Sequence, residues 1–487
     1  MRDQNWFYLG CLILTASLFT GLETLELRAE EPRRAVVAME MVLSGNYIEP
    51  QLYGQPYFNK PPLFNWIISL SFLIFGSFRE AAVRLPGLVS LILLAFLHYK
   101  LVKKELGHTV AGLAALFFLA SVDLLFYGSV NSGEIDLFLS LLVYGQLVSI
   151  YLGVQSNRPW LLFLGAYFFM ALGILTKGLP ALVLQAITLP VYLWYSDRWK
   201  WLFDWKHLAG LLVAFLILAA YGWLYHQAGG DIWTFAAQQL SEAEQKSATG
   251  EKAGRFISHV LTFPLNLIYW TLPGALAWWL FRKKKLREYA WSHPVLVFTA
   301  IVLTVNLPLY WISPGAVARY IYPFFPFLTL IPAWLFFEAQ PARALRIAGI
   351  AGLVLGGLRL VYNAAVMPMQ QQQWPSGLVY RQLSEDILKI TGDEPVYLTG
   401  PPEPMQVSLP LGLAKTNFEY PPQVPYQLPY YLTKSNGHIL KYDPKPAPGK
   451  FYLTFPSFVD TNVFKVHYRF VERWQGRDMV LVKEFIE

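Results

Sequence analysis

The sequence predicts a mainly alpha, polytopic membrane protein with a small C-terminal alpha+beta domain outside the membrane. Three observations carry that prediction. Only 15% of the 487 residues are charged, against 55% hydrophobic, and ordinary soluble domains carry roughly 25% charge. Apolar runs of about 20 residues, the length of one bilayer crossing, recur up to residue 362. Beyond that point proline becomes dense and short alternating segments replace the long runs.

Candidate spans cover 6–22, 84–102, 108–127, 137–154, 160–175, 180–196, 206–226, 264–281, 293–310, 318–337 and 344–362. A further apolar segment, 62–77, is short enough to be a span, an interfacial helix or a re-entrant element. The basic clusters arbitrate. If 6–22 runs outward and 62–77 does not cross, then Lys100 to Lys104, Arg158, Arg198 to Lys206, Arg282 to Arg287 and Arg343 to Arg346 all fall on the cytoplasmic side. That is the positive-inside bias repeated over five loops. A full crossing by 62–77 would turn every one of them outward. The expectation is therefore about eleven spans, with a transmembrane domain over 1–362, a large first outer loop at 23–83, and a soluble domain over 363–487 on the outer side.

The net charge of +7 would suggest nucleic acid in a soluble chain, but these basic residues sit beside apolar spans, where they orient helices. No zinc-finger or RNP-like pattern accompanies them. The single cysteine, Cys11, excludes a disulfide framework and a thiolate metal site. The N-terminal apolar stretch lacks a small-residue cleavage site and reads as a retained first helix.

In the tail, "EPVYLTG", "HILKYD", "GKFYLTFP", "NVFKVHYRFVERW" and "DMVLVKEF" alternate with a period of two and predict strands. "SGLVYRQLSEDILKITG" predicts an amphipathic helix stopped by glycine. The tail carries no catalytic cluster, and no internal repeat is evident.

The polar residues that the topology places outside are the informative ones. In "AEEPRRAVVAMEMVLSGNYIEP", Pro32 suits an early helical position and Gly45 a stop. Such a helix would lie along the membrane surface with Met39, Val42 and Leu43 toward lipid. That reading accounts for Arg33 and Arg34 but poorly for Glu30 and Glu31, two acids among arginines. A carboxylate base beside guanidiniums that neutralise phosphate accounts for both. Lys60 in "QPYFNKPPLFNW" is held by a Pro-Pro pair, although snorkelling at the boundary is an equally simple role. Arg84 begins a span at its outer end. Asp136 in "NSGEIDLF" has a helix-end role as its plain alternative. Lys177 in "LTKGLP" and Arg319 with Tyr320 in "ARYIYPFFP" return on the same side. Ionised residues from distant segments sharing one face of so apolar a chain predict an outward-facing cavity.

The stretch "AEEPRRAVVAMEMVLSGNYIEPQLYGQPYFNKPPLFNW" and its continuation "FGSFREAAVRLPGL" resemble the opening of the bacterial polyprenyl-phosphate-sugar-dependent glycosyltransferases. That family includes the aminoarabinose transferase of lipid A and, more distantly, the protein O-mannosyltransferases. The resemblance is closest over residues 25–90, with echoes in "GEIDLF", "LTKGLP", "RFISH" and "ARYIYPFFP". It implies a GT-C fold, a sugar donor on a polyprenyl (undecaprenyl) phosphate, and inverting transfer to an acceptor outside the cytoplasmic (inner) membrane. Lipid A or another envelope glycolipid is the acceptor it suggests first, and a protein the second.

Residue by residue, the resemblance implies that Glu30 stands where the family has its essential Asp, with Glu31 the second acid and Asp136 a further catalytic candidate. It implies donor-phosphate contacts from Arg33, Lys60, Arg84, Lys177, Arg255 and Arg319, and a substrate pocket lined by Tyr57 and Tyr320. Asn59 stands where the lipid A transferase has a metal-binding Glu, and His259 is the loose match for a second ligand. No cofactor is required by this reading, and a divalent metal is left open. Direct displacement needs one base and a held leaving phosphate, whereas a retaining glycosidase needs two facing carboxylates. Two rival classes remain: a lipid or solute transporter, which predicts inverted repeats and mid-membrane polar residues, and a GT-C scaffold without activity.

Overall fold

The computed structural model describes residues 2–126, 130–231, 234–235, 237–238, 253–281, 291–313, 315–372, 379–408, 415–422, 424–460, 463–472 and 477–484. The chain divides into two compact units. The first comprises Met1–Thr20, Pro86–Tyr221 and Ala243–Asn363; the second comprises Gly21–Leu85, Gly222–Glu242 and Ala364–Glu487. The first outer loop, expected within a domain ending at 362, thus falls in the same unit as the tail.

The first unit is the membrane unit. Among the described residues, seven helices are long and apolar enough to cross a bilayer, or eight if one bent pair is a single span. The expectation of about eleven differs from this count for physical reasons. The 40-residue helix Glu80–Leu119 spans two of the expected segments and is broken at Gly107, whose φ of 86° leaves the helical region. Arg2–Leu18 and Pro180–Tyr195 are apolar but have 17 and 16 residues, about 25 Å at 1.5 Å per residue. The expected single span 264–281 is instead two helices, Phe256–Trp270 and Gly274–Phe281, bent by 98°. Pro273 lies at the break, and proline has no N–H with which to extend the first helix.

Close packing inside this unit rests on small residues. Helix Arg2–Leu18 meets helix Ala344–Val361 so tightly that a Cβ on Gly10 would lie 2.2 Å from the Gly349 carbonyl oxygen. Without a hydrophobic drive between helices in lipid, such backbone approach supplies the attraction. The same pair carries a buried cation. Arg359 is fully buried and donates to Asn131 Oδ1 and, at 3.3 Å, to the Ser17 carbonyl. A charge at this depth is tolerable only with such partners.

In the second unit, helix Glu31–Ser44 begins with Pro32 in its first turn and stops at Gly45, whose φ of 73° lets its N–H reach the Met41 carbonyl. It does not lie with Met39 toward lipid: Ala35 through Met41 are buried, Met39 completely. Strands β1 (Gln51–Leu52) and β2 (Gln55–Pro56) follow as a small hairpin. The 13-residue helix Leu63–Phe75 is about 20 Å long, short of the roughly 30 Å hydrocarbon core, in keeping with an element that does not cross.

The tail supplies β3 (Val396–Leu398), β4 (Glu403–Ser408), β5 (Lys415–Tyr420), β6 (Lys441–Tyr442), β7 (Phe451–Thr454), β8 (Phe464–Glu472) and β9 (Arg477–Glu484). Five of them form one mixed sheet in the order β6-β3-β7-β9-β8, and β4 pairs with β5 separately. β3 is parallel to both neighbours, whereas β7, β9 and β8 run antiparallel. Helix Tyr380–Thr391 stops at Gly392 as the pattern predicts. Its N-terminus is held by Glu26, whose carboxylate accepts from the Tyr380 and Arg381 amides at 3.2 and 2.8 Å. An acid there complements the positive end of the helix dipole.

Candidate active site

The residues expected to carry chemistry fall into two groups, one inside each unit. The group in the second unit is built on the first turn of helix Glu31–Ser44. Glu30, just before that helix, forms an ion pair with Arg33, one turn on; their side chains are 36% and 15% exposed. The Arg33 guanidinium lies over two aromatic rings, 5.9 Å from the Tyr57 centroid and 5.5 Å from that of Tyr426. Burial pulls the Arg33 pKa down, but Tyr57, Glu30 and Tyr426 outweigh it and hold the guanidinium above its usual range. Tyr57 is itself buried, and burial pushes its hydroxyl pKa up. The outcome is a permanent cation beside an accessible carboxylate, framed by rings.

Glu31 and Arg84 have a different place from the one the sequence suggested. Both side chains are fully buried, and Arg84 Nε donates to Glu31 Oε2 at 2.9 Å. The remaining guanidinium nitrogens donate to the carbonyls of Leu22, Leu25 and Glu26 at 2.6 to 3.0 Å. The planar fork of arginine thus fastens the 22–26 turn to two helices. In this structure Arg84 and Glu31 make contact with one another, and Arg84 with these carbonyls, a role in holding the local fold. Lys60 is 7% exposed, so it is enclosed rather than snorkelling.

The group in the membrane unit sits where antiparallel helices meet. Asp136 opens helix Asp136–Gln155 and Lys177 closes helix Pro159–Lys177, so each charge complements the dipole of its own helix. The two form an ion pair. Arg319 Nη1 lies 3.2 Å from Glu134 Oε1, and its Nε lies 3.9 Å from Asp136. Tyr320 stacks against both cations, 4.4 Å from Lys177 Nζ and 5.6 Å from the Arg319 guanidinium. Two carboxylates and two cations therefore neutralise one another. The sequence reading named Asp136, Lys177, Arg319 and Tyr320 but missed Glu134, whose position two residues before Asp136 was the available signal.

Two further residues escaped the sequence. Tyr426 comes from the tail, where no catalytic cluster was expected, and its signal was hidden in a proline-rich segment. Glu40 sits in the middle of an apolar helix and is 1% exposed. Its carboxylate accepts from the Tyr53 and Gly54 amides at 2.6 and 3.0 Å, and burial pushes its pKa up to about 7 against the pull of those amides and Lys441.

The side chain of Arg255 lies outside the described residues. His259 Nε2 is 3.1 Å from the Tyr310 carbonyl oxygen. Among the described residues no group of three His, Cys, Asp or Glu side chains is placed to hold a metal ion.

Comparison with known proteins adds independent findings. A family model described as dolichyl-phosphate-mannose-protein mannosyltransferase matches residues 59–223. The chain is also similar to the ArnT of Cupriavidus metallidurans in its apo state, with a TM-score of 0.70 at 16% identity over 99% of this chain and 98% of that one. A second ArnT structure, bound to undecaprenyl phosphate, matches with a TM-score of 0.67 at 17% identity over 98% of each chain. The chain has the GT-C fold of these structures. At such identities the structural likeness establishes the fold. The GT-C chain is 28% identical over 371 residues to the undecaprenyl phosphate-alpha-4-amino-4-deoxy-L-arabinose arabinosyl transferase of Edwardsiella ictaluri, covering 73% of this chain and 64% of the relative. The protein of the same description from Pseudomonas paraeruginosa is 28% identical over 350 residues, covering 70% and 61%. The chain thus spans less than two thirds of the length of these curated relatives.

Proposed function

We propose that this GT-C chain is an inverting glycosyltransferase of the bacterial inner membrane. It moves a sugar from an undecaprenyl phosphate donor to an acceptor on the outer side, where the tail domain also resides. The observation that carries the reading is the Glu30–Arg33 pair, a partly exposed carboxylate beside a caged permanent cation. The names of the relatives and the lipid phosphate bound in one ArnT structure support the same donor class.

The chemistry needs little more. Glu30 accepts the proton of an acceptor hydroxyl as that oxygen attacks the anomeric carbon from the face opposite the phosphate. The bond from the anomeric carbon to the phosphate oxygen breaks, and the lipid phosphate leaves with the electron pair. Arg33 offers a guanidinium, shaped for bidentate contact with phosphate, to the charge that develops. Lys60 adds a second cation in the same unit. Within the membrane unit, the neutral set of Glu134, Asp136, Lys177 and Arg319 is a separate candidate for lipid phosphate contact, with a phosphate oxygen replacing a carboxylate at Arg319.

Lipid A is the acceptor that the sequence resemblance described above suggests first. A protein acceptor is the second reading, favoured by the description of the family model over residues 59–223. The test is transfer of a radiolabelled sugar from undecaprenyl phosphate by the purified chain in lipid nanodiscs, with Glu30→Gln as the comparison. Wild-type transfer with the variant inactive supports the reading; equal turnover in both removes Glu30 from the mechanism, and no transfer from any polyprenyl donor removes the reading itself. Mass spectrometry of lipid A and of envelope proteins from a deletion strain separates the two acceptors.

A further inference from the structure

Glu40 is a buried acid that the mechanism above does not use, and its surroundings connect it to the one it does. The β1–β2 hairpin turns through Tyr53 and Gly54, at φ values of 59° and 69°. Two successive left-handed residues make the tight turn that suits a two-residue hairpin, and they are strained for a tyrosine. Glu40 accepts hydrogen bonds from the backbone amides of both turn residues, one at each carboxylate oxygen. The turn is further fixed by the Tyr442 amide, which donates to the Tyr53 carbonyl at 2.9 Å.

What the turn presents is the Tyr53 ring. It stacks on Tyr426 with centroids 6.4 Å apart and planes within 17°. Tyr426 is in turn the ring 5.5 Å beneath the Arg33 guanidinium, and Arg33 is the partner of Glu30. A continuous series of contacts therefore runs from Glu40 through the Tyr53–Gly54 turn, Tyr53 and Tyr426 to Arg33. Every member lies in the second unit.

We infer that Glu40 is a positioning residue for the Arg33–Glu30 pair, acting by locking the Tyr53–Gly54 turn so that Tyr53 and Tyr426 hold the guanidinium in one orientation. The inference rests on the glycosyltransferase reading for its catalytic meaning, but the coupling itself can be measured without catalysis. A simple apolar residue at position 40 would fill the space; a carboxylate facing two amides is what a turn with unpaired N–H groups requires. Replacement by Gln keeps the shape but turns an N–H₂ group toward one of the two amides, so the turn loses an acceptor.

The test compares the wild-type chain with Glu40→Gln and Tyr426→Ala in nanodiscs. Phenylglyoxal, which modifies accessible guanidiniums, is the probe, and mass spectrometry reads each arginine separately. Arg33 becomes several-fold more reactive in both variants, while the fully buried Arg84 stays protected, as it must in a folded chain. In the transfer assay the same variants lose kcat by about ten- to a hundredfold, the scale expected when a catalytic group is displaced by an ångström, and the melting temperature of Glu40→Gln is not lowered. Unchanged Arg33 reactivity in Glu40→Gln with Arg84 protected overturns the inference, as does full kcat. If Arg84 is also exposed, Glu40 holds the fold as a whole and the inference is again overturned. Should the wild-type chain transfer no sugar, the functional reading fails, and Arg33 labelling still decides whether Glu40 orients Arg33.

Discussion

Arg84 and Glu31 form a salt bridge of 2.9 Å with both side chains at 0% exposure. Together with the Arg84 contacts to the carbonyls of Leu22, Leu25 and Glu26, the pair holds the turn that precedes helix Glu31–Ser44. Breaking such a pair from one side leaves an uncompensated buried charge. Arg84→Met is expected to destabilise the chain by about 3–5 kcal/mol, and Glu31→Leu with Arg84→Met by less than either alone. Fluorescence-detected thermal unfolding of the purified variants checks the order, and a double variant worse than both singles contradicts it.

Glu30 behaves in the opposite way. Its ion pair with Arg33 is a third exposed, and such pairs contribute no more than about 1 kcal/mol to stability. Glu30→Gln is expected to melt with the wild-type chain yet lose about a hundred- to ten-thousandfold in transfer, the scale of a general base. The two measurements belong on one preparation, since a fall in melting temperature would assign Glu30 a structural task.

Asp136 is buried at 3% exposure and paired with Lys177. Lys177→Met leaves that carboxylate with Arg319 Nε at 3.9 Å as its nearer remaining cation. A loss of about 3–5 kcal/mol is expected, relieved by adding Asp136→Asn. Yield of monodisperse protein after extraction and its unfolding temperature read the effect.

Glu40 makes stability depend on pH with a definite sign. Its folded pKa of about 7 lies above the 4.5 of a free glutamate, chiefly through burial. Its contribution is therefore fully present below pH 4.5 and is lost as pH rises through 7, by on the order of 3 kcal/mol. Glu40→Gln should flatten that limb of the stability curve between pH 4.5 and 7. A curve of unchanged slope in the variant would place the titration elsewhere.

At Gly349 a Cβ would stand 2.4 Å from the Trp6 carbonyl oxygen, in backbone that cannot step aside. Gly349→Val is expected to separate helices Arg2–Leu18 and Ala344–Val361 and to cost about 1–3 kcal/mol or more. Gly357, which faces open space, is the control, and Gly357→Ala should leave the melting temperature unchanged.

The sequence by itself determined the elements of this protein. Long apolar runs mark helices because lipid leaves backbone groups no partner but their own chain. Pro32 and Gly45 bound helix Glu31–Ser44, alternation marked β3, β6, β7, β8 and β9, and the charged motifs named Glu30, Arg33, Asp136, Lys177 and Arg319. These signals are local, carried by periodicity, by backbone conformational limits and by charge in an apolar setting. Only the tertiary structure decided what each charge touches. Burial made Arg84 a fastener for the carbonyls of Leu22, Leu25 and Glu26, and it brought Glu134 to Arg319. It also set Tyr426 under Arg33 across nearly four hundred residues and gave Glu40 two amides to hold. The physical reason is that a charge or a ring acquires its role from its partners and its distance from water, and both are properties of the folded chain rather than of any window along it.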